Sequence, residues 1–410
     1  MATALWGKVY YDDSFAGQLR QEPGGRCVFT YDSTYLAAGL PAIAFTLPRQ
    51  TSPHICEQGL HPFFDNLVSE GWLRNAQARA LRIDPDNRFA LLLAFGHDCA
   101  GAVKIIDPAP AGEPAVDLGD PTVAAALASR SSLSGVQPKL LAVQEGRRFR
   151  PARRDETSTF IAKLPGSLSD IVENEFLTTA ANHALLPDDE IVDARIGTVE
   201  GIEGRALIVR RFDRRRSGTK IHFEEFNQLL GRRSGGDKYE ASYEDMAKFI
   251  RTTPGCTPID AWRLYRRILV CFLTGNTDAH LKNFAMFHTP DGLRLTPAYD
   301  LVAAALYQPY SELALAIDGA GNLPLGKLKP KHLIALGEAY GLDRAVLMET
   351  FQSLNRRRKA AEKAVTDAAK KIGENALGQR LLELMEHRWN GSFNSIGPLL
   401  SKKQSGDATD

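Results

Sequence analysis

The sequence predicts an α+β chain in two lobes, a β-rich N-terminal part and a mostly helical C-terminal part. Two observations carry this. Up to about residue 213, aromatic and β-branched runs alternate with Gly, Asp and Pro punctuation, the pattern of strands and turns. From Ser242 onward apolar residues recur at helical spacing, interrupted by one short pair of β-type runs. A length of 410 residues suits two or three domains. The expected boundaries are an N-terminal β-rich subdomain over 1–106, a Pro/Ala/Gly/Asp-rich linker over 107–121, a second β-rich part over 122–232, a helical part over 233–400 and a polar, disordered tail over 401–410.

Composition excludes several classes. The chain is 44% hydrophobic and 24% charged, as expected of a soluble globular protein. Lys+Arg 50 against Asp+Glu 49 leaves a net charge of +1, so no global field draws it to nucleic acid or to a membrane. The five cysteines (27, 56, 99, 256 and 271) form no C-x-x-C pair and fit a reducing cytoplasm. The N-terminus lacks a basic and apolar secretion signal, and the longest apolar runs are too short for a bilayer. A cytoplasmic protein without a membrane partner is expected.

Taken in order, Leu5–Tyr11, Phe15–Leu19, Cys27–Tyr31 and Ala42–Leu47 read as strands of a meander. Residues 59–82 turn helical, with Phe63, Phe64, Leu67 and Trp72 near the helical period, and Arg88–Phe95 reads as a buried helix before Gly96. His54, Cys56 and His61, and His97 with Cys99, lack a recognised ligand spacing and are read as ordinary residues. Next comes Arg130-Ser-Ser132-Leu-Ser134-Gly-Val-Gln-Pro-Lys139, a serine-rich turn entering an apolar strand. It is read first as a polar hairpin turn and second as a backbone nest for phosphate oxygens with Lys139 adding charge.

Thr157–Leu164 reads as a strand, with Thr159, Ile161 and Lys163 on one face and Phe160, Ala162 and Leu164 on the other. Lys163 is either an edge-strand lysine in water or a charge put to use. Asp170-Ile-Val-Glu173 resembles a capping box opening a helix to about Leu186. Val172, Phe176, Leu177, Ala180 and Ala184 share its apolar face, Glu173 falls within that face and Glu175 nearly opposite. Two strands fill 191–213. The run Arg210 to Arg216 is read as a solvated basic turn, with contact to RNA or DNA as the alternative. Helices are expected over 242–252, 258–273, 330–340, 343–371 and 376–389, with Asn355 to Lys363 on an exposed charged face.

The most informative stretch follows the apolar run Trp262–Leu273: Thr-Gly-Asn-Thr-Asp278-Ala-His-Leu-Lys-Asn283, then Ala298-Tyr-Asp300-Leu. Asp278 and Asn283 lie five apart and Asp300 seventeen further on. Protein kinases use that five-residue interval for a catalytic Asp and a metal-binding Asn, with a second metal-binding Asp downstream. One carboxylate must deprotonate a hydroxyl while an amide oxygen and a second carboxylate hold Mg²⁺ against phosphates. Two β-type runs, Phe284–His288 and Leu293–Thr296, flank Pro290-Asp-Gly292 and predict a hairpin that folds Asn283 back toward Asp300. A polar helix end remains the bland alternative.

The ordered set of segments resembles the HipA family of bacterial serine/threonine kinase toxins. It comprises Ser132 to Lys139, Phe160-Ile-Ala-Lys163-Leu-Pro, Glu173-Asn-Glu-Phe176, Val209 to Arg214, Gly275 to Asn283 and Ala298 to Leu301. The resemblance covers most of the chain and implies a two-lobed protein-kinase-like fold with an extra N-terminal subdomain. It implies ATP and Mg²⁺ as cofactors, Asp278 as catalytic base, and Asn283 and Asp300 as metal ligands. It places Lys163 on the ATP phosphates, with Glu173 or Glu175 as its partner, and makes Ser134, Gly135, Val136, Gln137, Pro138 and Lys139 the phosphate loop. Arg210, Arg211 and Phe212 match the segment that contacts adenine, and His280, Lys282 and Tyr299 match nucleotide-contacting positions. Ser132 matches the autophosphorylated serine, with Ser134 a second candidate. Pro138 and Arg210 depart from residues common in the family, where Glu and an acidic residue stand. The implied partners are a HipB-like helix-turn-helix antitoxin, DNA through that antitoxin, and a protein substrate, an aminoacyl-tRNA synthetase such as glutamyl-tRNA synthetase. A small-molecule phosphotransferase and a non-enzymatic regulatory module are the alternative functions.

Overall fold

The aromatic N-terminal runs pair into a sheet in the computed structural model, which describes residues 5–109, 120–129, 137–153, 156–215 and 217–401. Ser132, Ser134, Gly135 and Val136, most of the expected linker and all but the first residue of the tail lie outside the described residues. The sheet contains β1 (Leu5–Tyr11), β2 (Ser14–Gln21), β3 (Cys27–Tyr31), β4 (His54–Cys56) and β5 (Val103–Ile106), in the order β4-β3-β2-β1-β5. Val9, Leu19, Phe29 and Ile105 face helices that contribute Phe63, Phe64, Phe89 and Phe95 to one core. The expected strand over 42–47 does not form. Ala44 and Leu47 meet only in an isolated bridge, and Ile43, Ala44 and Leu47 plug the core as a loop. The Tyr31 hydroxyl fixes that loop, donating to Leu47 O at 2.6 Å and accepting from Ile43 N–H at 2.9 Å. The helical stretch 59–82 is two helices, Pro62–Asp65 and Gly71–Leu81, and the buried helix is Arg88–Phe95, closed at Gly96.

A closed barrel follows, made of β6 (Lys139–Glu145), β7 (Arg148–Pro151), β8 (Phe160–Lys163), β9 (Ala194–Val199) and β10 (Ile202–Arg210), in the order β10-β8-β6-β7-β9. Phe160, Ala162 and Leu164 point inward with Leu140, Ala142, Phe149 and Ile208. Because β8 is hydrogen-bonded on both sides, Lys163 is not an edge residue, and it is 7% exposed. Two shorter strands, β11 (Phe223–Glu225) and β12 (Ala285–Thr289), pair antiparallel.

Contacts group the chain into two units. The first is 1–172, 193–238 and 285–288, and the second is 173–192, 239–284 and 289–410. The second unit carries helices Tyr243–Thr252, Pro258–Thr274, Pro330–Ala339, Arg344–Ile372 and Asn375–Arg388, close to the expected spans, and strand β13 (Gly292–Leu295). A pair of elements was not foreseen: the π-helical turn Trp389–Phe393 and the helix Ile396–Ser401. Helix Ile171–Leu185 ends before Pro187 as expected, but its burial departs from a single apolar stripe. Glu173, Asn174, Glu175, Thr178 and Asn182 are all buried, while Phe176, Ala180 and Ala184 are half-buried. Hydrogen-bonding side chains explain the difference: Asn174 exchanges bonds with Ala303, accepting its N–H at 2.8 Å, and donates to the Tyr307 hydroxyl at 3.1 Å.

Candidate active site

Helix Pro258–Thr274 delivers the polar loop. It starts at Thr257, whose hydroxyl accepts from Asp260 N–H, with Pro258 in the first turn, and it ends at Gly275 in the left-handed region (φ 76°). The backbone angle favours glycine here, and a Cβ at Gly275 would stand 2.3 Å from Leu384 Cδ2 and push that side chain aside. Arg266 and Arg267 leave the same helix to pair with Asp188 at 2.7 Å and Asp189 at 2.6 Å.

Beyond Gly275 the loop is held from several directions. Thr277 Oγ1 donates to Tyr310 O at 2.9 Å, and Asn276 Nδ2 to Asp300 O at 3.3 Å. The buried Tyr243 donates its hydroxyl to Ala279 O at 3.1 Å. The helical turn Leu281–Asn283 is closed by His280 N–H donating to Asn283 Oδ1 at 3.0 Å. Tyr299 donates to Lys282 O at 2.7 Å, and His280 and Lys282 are themselves buried.

After Asn283 the chain runs out along β12 and returns along β13. The intervening turn is closed by Thr289 Oγ1 donating to Gly292 O at 2.7 Å. The excursion ends with Asn283 Nδ2 donating to Asp300 Oδ2 at 2.8 Å, so two of the three nominated side chains touch. Asp300 occupies the left-handed region (φ 58°), a conformation non-glycine residues adopt at a cost of about 1–3 kcal/mol and which clusters at functional sites. The third side chain, Asp278, is half-buried and accepts the Tyr239 hydroxyl at 3.0 Å on Oδ1. Nothing in the sequence around Tyr239 marked it; a contact spanning 39 positions has no local signal.

This donor set suits a hard divalent cation, which takes carboxylate and amide oxygens. Asn283 Oδ1 uses one lone pair on His280 N–H and keeps a second. A cation between Asn283 and Asp300 would replace the amide N–H contact to Oδ2.

In the first unit, Lys139 on β6 stands directly across from Lys163 on β8. Directly opposed residues share a face, and like charges so placed repel unless anionic groups lie between them. Sequence reading nominated each lysine separately, and only the register pairs them. Gln137 Nε2 donates to Leu164 O at 3.0 Å, and Pro138 O accepts Leu164 N–H at 2.8 Å, which ties the described end of the expected phosphate loop to the end of β8.

The basic run after β10 is not a solvated turn. Arg210 lies over the Phe160 ring at 5.1 Å, but Arg211 and Arg214 are buried. Arg211 pairs with Asp213 at 2.8 Å and Asp98 at 3.3 Å and donates to Ser158; Arg214 pairs with Asp98 at 2.6 Å and Asp213 at 2.8 Å. Burial pushes the Asp213 carboxyl up, but the two guanidinium charges outweigh it and hold it at about 2. The Arg211 side chain is committed to this buried network. Phe212 packs edge-on against Phe223 at 5.0 Å and Phe287 at 5.6 Å.

The dismissed pairs near His54 and His97 gather no metal-type cluster among the described residues, but His222, Glu224 and His288 do. Glu224 Oε1 accepts Phe45 N–H at 2.6 Å and lies 2.7 Å from His288 Nε2, while Ala102 N–H donates to His222 Nδ1 at 3.3 Å. That bond leaves the His222 proton on Nε2, which then has no lone pair for a metal, so the trio is a hydrogen-bonded packing cluster. Burial, with the neighbouring His288, holds His222 well below the usual imidazole range.

A barrel with opposed lysines and a helical unit with a D-x₄-N loop beside a second Asp define a two-lobed α+β fold of the protein-kinase-like class. The comparisons specify it further. The model of the HipA N-terminal domain matches residues 7–106 and that of the HipA-like C-terminal domain matches 131–376, and the chain belongs to the HipA family. It is 30% identical to the serine/threonine-protein kinase toxin HipA of Shewanella oneidensis over 335 residues, covering 72% of this chain and 74% of that protein. It also superposes with a TM-score of 0.76 on a chain of the Shewanella oneidensis MR-1 complex of HipA, HipB and operator DNA. That match has 23% identity and covers 96% of this chain and 99% of the other; this likeness defines the fold. Among the described residues no helix is long and apolar enough to cross a membrane.

Proposed function

We propose that the chain is an ATP- and Mg²⁺-dependent protein serine/threonine kinase that acts as a toxin and is neutralised by a HipB-like helix-turn-helix antitoxin. The observation that carries the reading is the 2.8 Å contact of Asn283 with Asp300, seated on the loop that presents Asp278. Asp278 orients the acceptor hydroxyl and takes its proton as the phosphoryl group transfers. Asn283 and Asp300 hold Mg²⁺, which neutralises charge on the phosphates. Lys163 and Lys139 bind phosphate oxygens from the barrel, with Ser134 to Pro138 as the loop around them. His280, Lys282 and Tyr299 keep the catalytic loop in shape and border the nucleotide.

The acceptor is a serine or threonine of a protein. Family likeness favours an aminoacyl-tRNA synthetase, with glutamyl-tRNA synthetase first, so that modification suppresses translation. The related HipA is found with HipB and operator DNA, which supports antitoxin binding here and DNA contact through that partner. Autophosphorylation of Ser132, or Ser134, is proposed as self-inhibition. It adds about −1.5 to −2 charges at the mouth of a loop that must hold phosphates. Ser132→Ala should stay active and toxic, and loss of its ATP binding on self-incubation would refute the idea.

The test of the whole reading is labelled ATP added to whole-cell extract, with mass spectrometry of phosphoserines, for wild type and Asp278→Asn. Labelled protein bands that vanish in the variant are expected. Equal labelling by the two, or label only in small molecules, would sink it.

A further inference from the structure

Tyr239 ends the single helical turn Gly236–Tyr239 and donates its hydroxyl to Asp278 Oδ1 at 3.0 Å. Its ring stands edge-on to His280 at 5.1 Å, and His280 in turn donates its N–H to Asn283 Oδ1. The phenol is thus braced on the loop whose carboxylate it holds. Four residues on, Tyr243 touches the same loop differently: fully buried, packed on Phe272 at 5.3 Å, its hydroxyl on the backbone of Ala279. Tyr239 is 43% exposed and reaches the side chain instead.

The last torsion of an aspartate is broad and roughly two-fold, so an untethered carboxylate presents either oxygen over a range of angles. A directional bond to Oδ1 narrows that range. Water can replace a half-exposed hydrogen bond in the unfolded chain, so this one contributes little to stability. Its effect belongs to the reaction.

We propose that Tyr239 is a positioning residue for phosphoryl transfer, holding the Asp278 carboxylate in the orientation that receives the acceptor's proton. The proposal rests on Asp278 being the base.

The experiment uses the full chain with Mg²⁺ and labelled ATP, taking extract proteins and the chain itself as acceptors, at varied ATP. Tyr239→Phe is expected to lower kcat about ten- to a hundredfold, the size of effect that misplacement of a reacting group produces. KM for ATP and the melting temperature should stay at wild-type values. On an Asp278→Asn background the same substitution should change nothing further. Tyr243→Phe, in contrast, should lower the melting temperature. An unchanged kcat in Tyr239→Phe overturns the proposal. So does a raised one, which would make the phenol an obstacle in the acceptor's place, and so does a fall that tracks lost stability. If Asp278→Asn labels protein as well as wild type, the kinase reading itself fails; if it is dead while Tyr239→Phe is normal, only the role of Tyr239 does.

Discussion

Two groups of carboxylates in this molecule differ in the hydrogen bonds that hold them. In the first unit Asp98 and Asp213 each meet both Arg211 and Arg214, at 2.6–3.3 Å, two negative charges against two positive ones, with Asp213 and both arginines buried and Asp98 half-buried. In the second unit Asp300 accepts an amide N–H from Asn283, and Asp278 a phenol O–H from Tyr239. Both of these carboxylates are half-buried. Carboxylates locked between guanidinium groups cannot be released without stranding charge in a low dielectric. A hydrogen bond from an amide or a phenol can be exchanged for one to a cation or to an incoming hydroxyl at small cost. Guanidinium pairing locks the first cluster, and exchangeable amide and phenol bonds are a feature of the second.

That contrast can be broken by substitution. The largest effect should come from Asp278→Asn, which is expected to lower kcat for protein phosphorylation by about 10²–10⁴-fold, the usual worth of a general base. Its unfolding midpoint in urea should match wild type; a large drop would place Asp278 with the first group. Asp213→Asn should do the reverse, losing about 3–5 kcal/mol of unfolding free energy because two buried guanidinium groups keep only one acid partner. Equilibrium unfolding measures this, and a neutral outcome would erase the distinction. Asp300→Asn is expected to raise the Mg²⁺ concentration for half-maximal rate roughly ten- to a hundredfold, at least the effect seen on removing groups that merely support a metal ligand.

Acid sharpens the same comparison. The Asp213 carboxyl sits at about 2 in the folded chain, and an unfolded aspartate titrates near pH 3.9. The unfolded chain therefore binds the proton first, and this stabilisation is present above about pH 4 and lost as pH falls toward 2. His222 adds an earlier loss. Its folded value lies well below the usual one, so protonation favours the unfolded chain once pH drops below about 6.5. Melting curves from pH 7 to 3 should decline in that order, and His222→Gln should reduce the first part, which His61, held at about 4 by burial, shares. The smallest effect is that of Tyr243→Phe, whose lost bond to Ala279 should cost about 1 kcal/mol.

Much of this architecture was legible in the sequence. The helices of the second unit were readable because they are long and periodic and because Thr257, Pro258 and Gly275 mark the ends of the central one. The meeting of Asn283 and Asp300 was legible because the hairpin separating them is local. Residues 42–47 were misread as a strand because an apolar run looks the same whether it pairs or plugs a core. Arg211 and Arg214 were misread because the acid that meets both of them from afar, Asp98, lies more than 110 positions upstream. The facing of Lys139 by Lys163, and of Asp278 by Tyr239, depends on register and tertiary docking, which no single segment encodes.

The side chain pressed on Gly275 has a practical corollary for anyone trimming the gene. Leu384 lies eight positions past the last residue matched by the C-terminal family model, which stops at 376. An expression boundary drawn at that match would keep every proposed ligand yet strip away the wall behind the loop's first residue, along with the Arg380 donor to Leu306 O. Such a fragment should be judged by its loop geometry before any loss of activity is ascribed to missing chemistry.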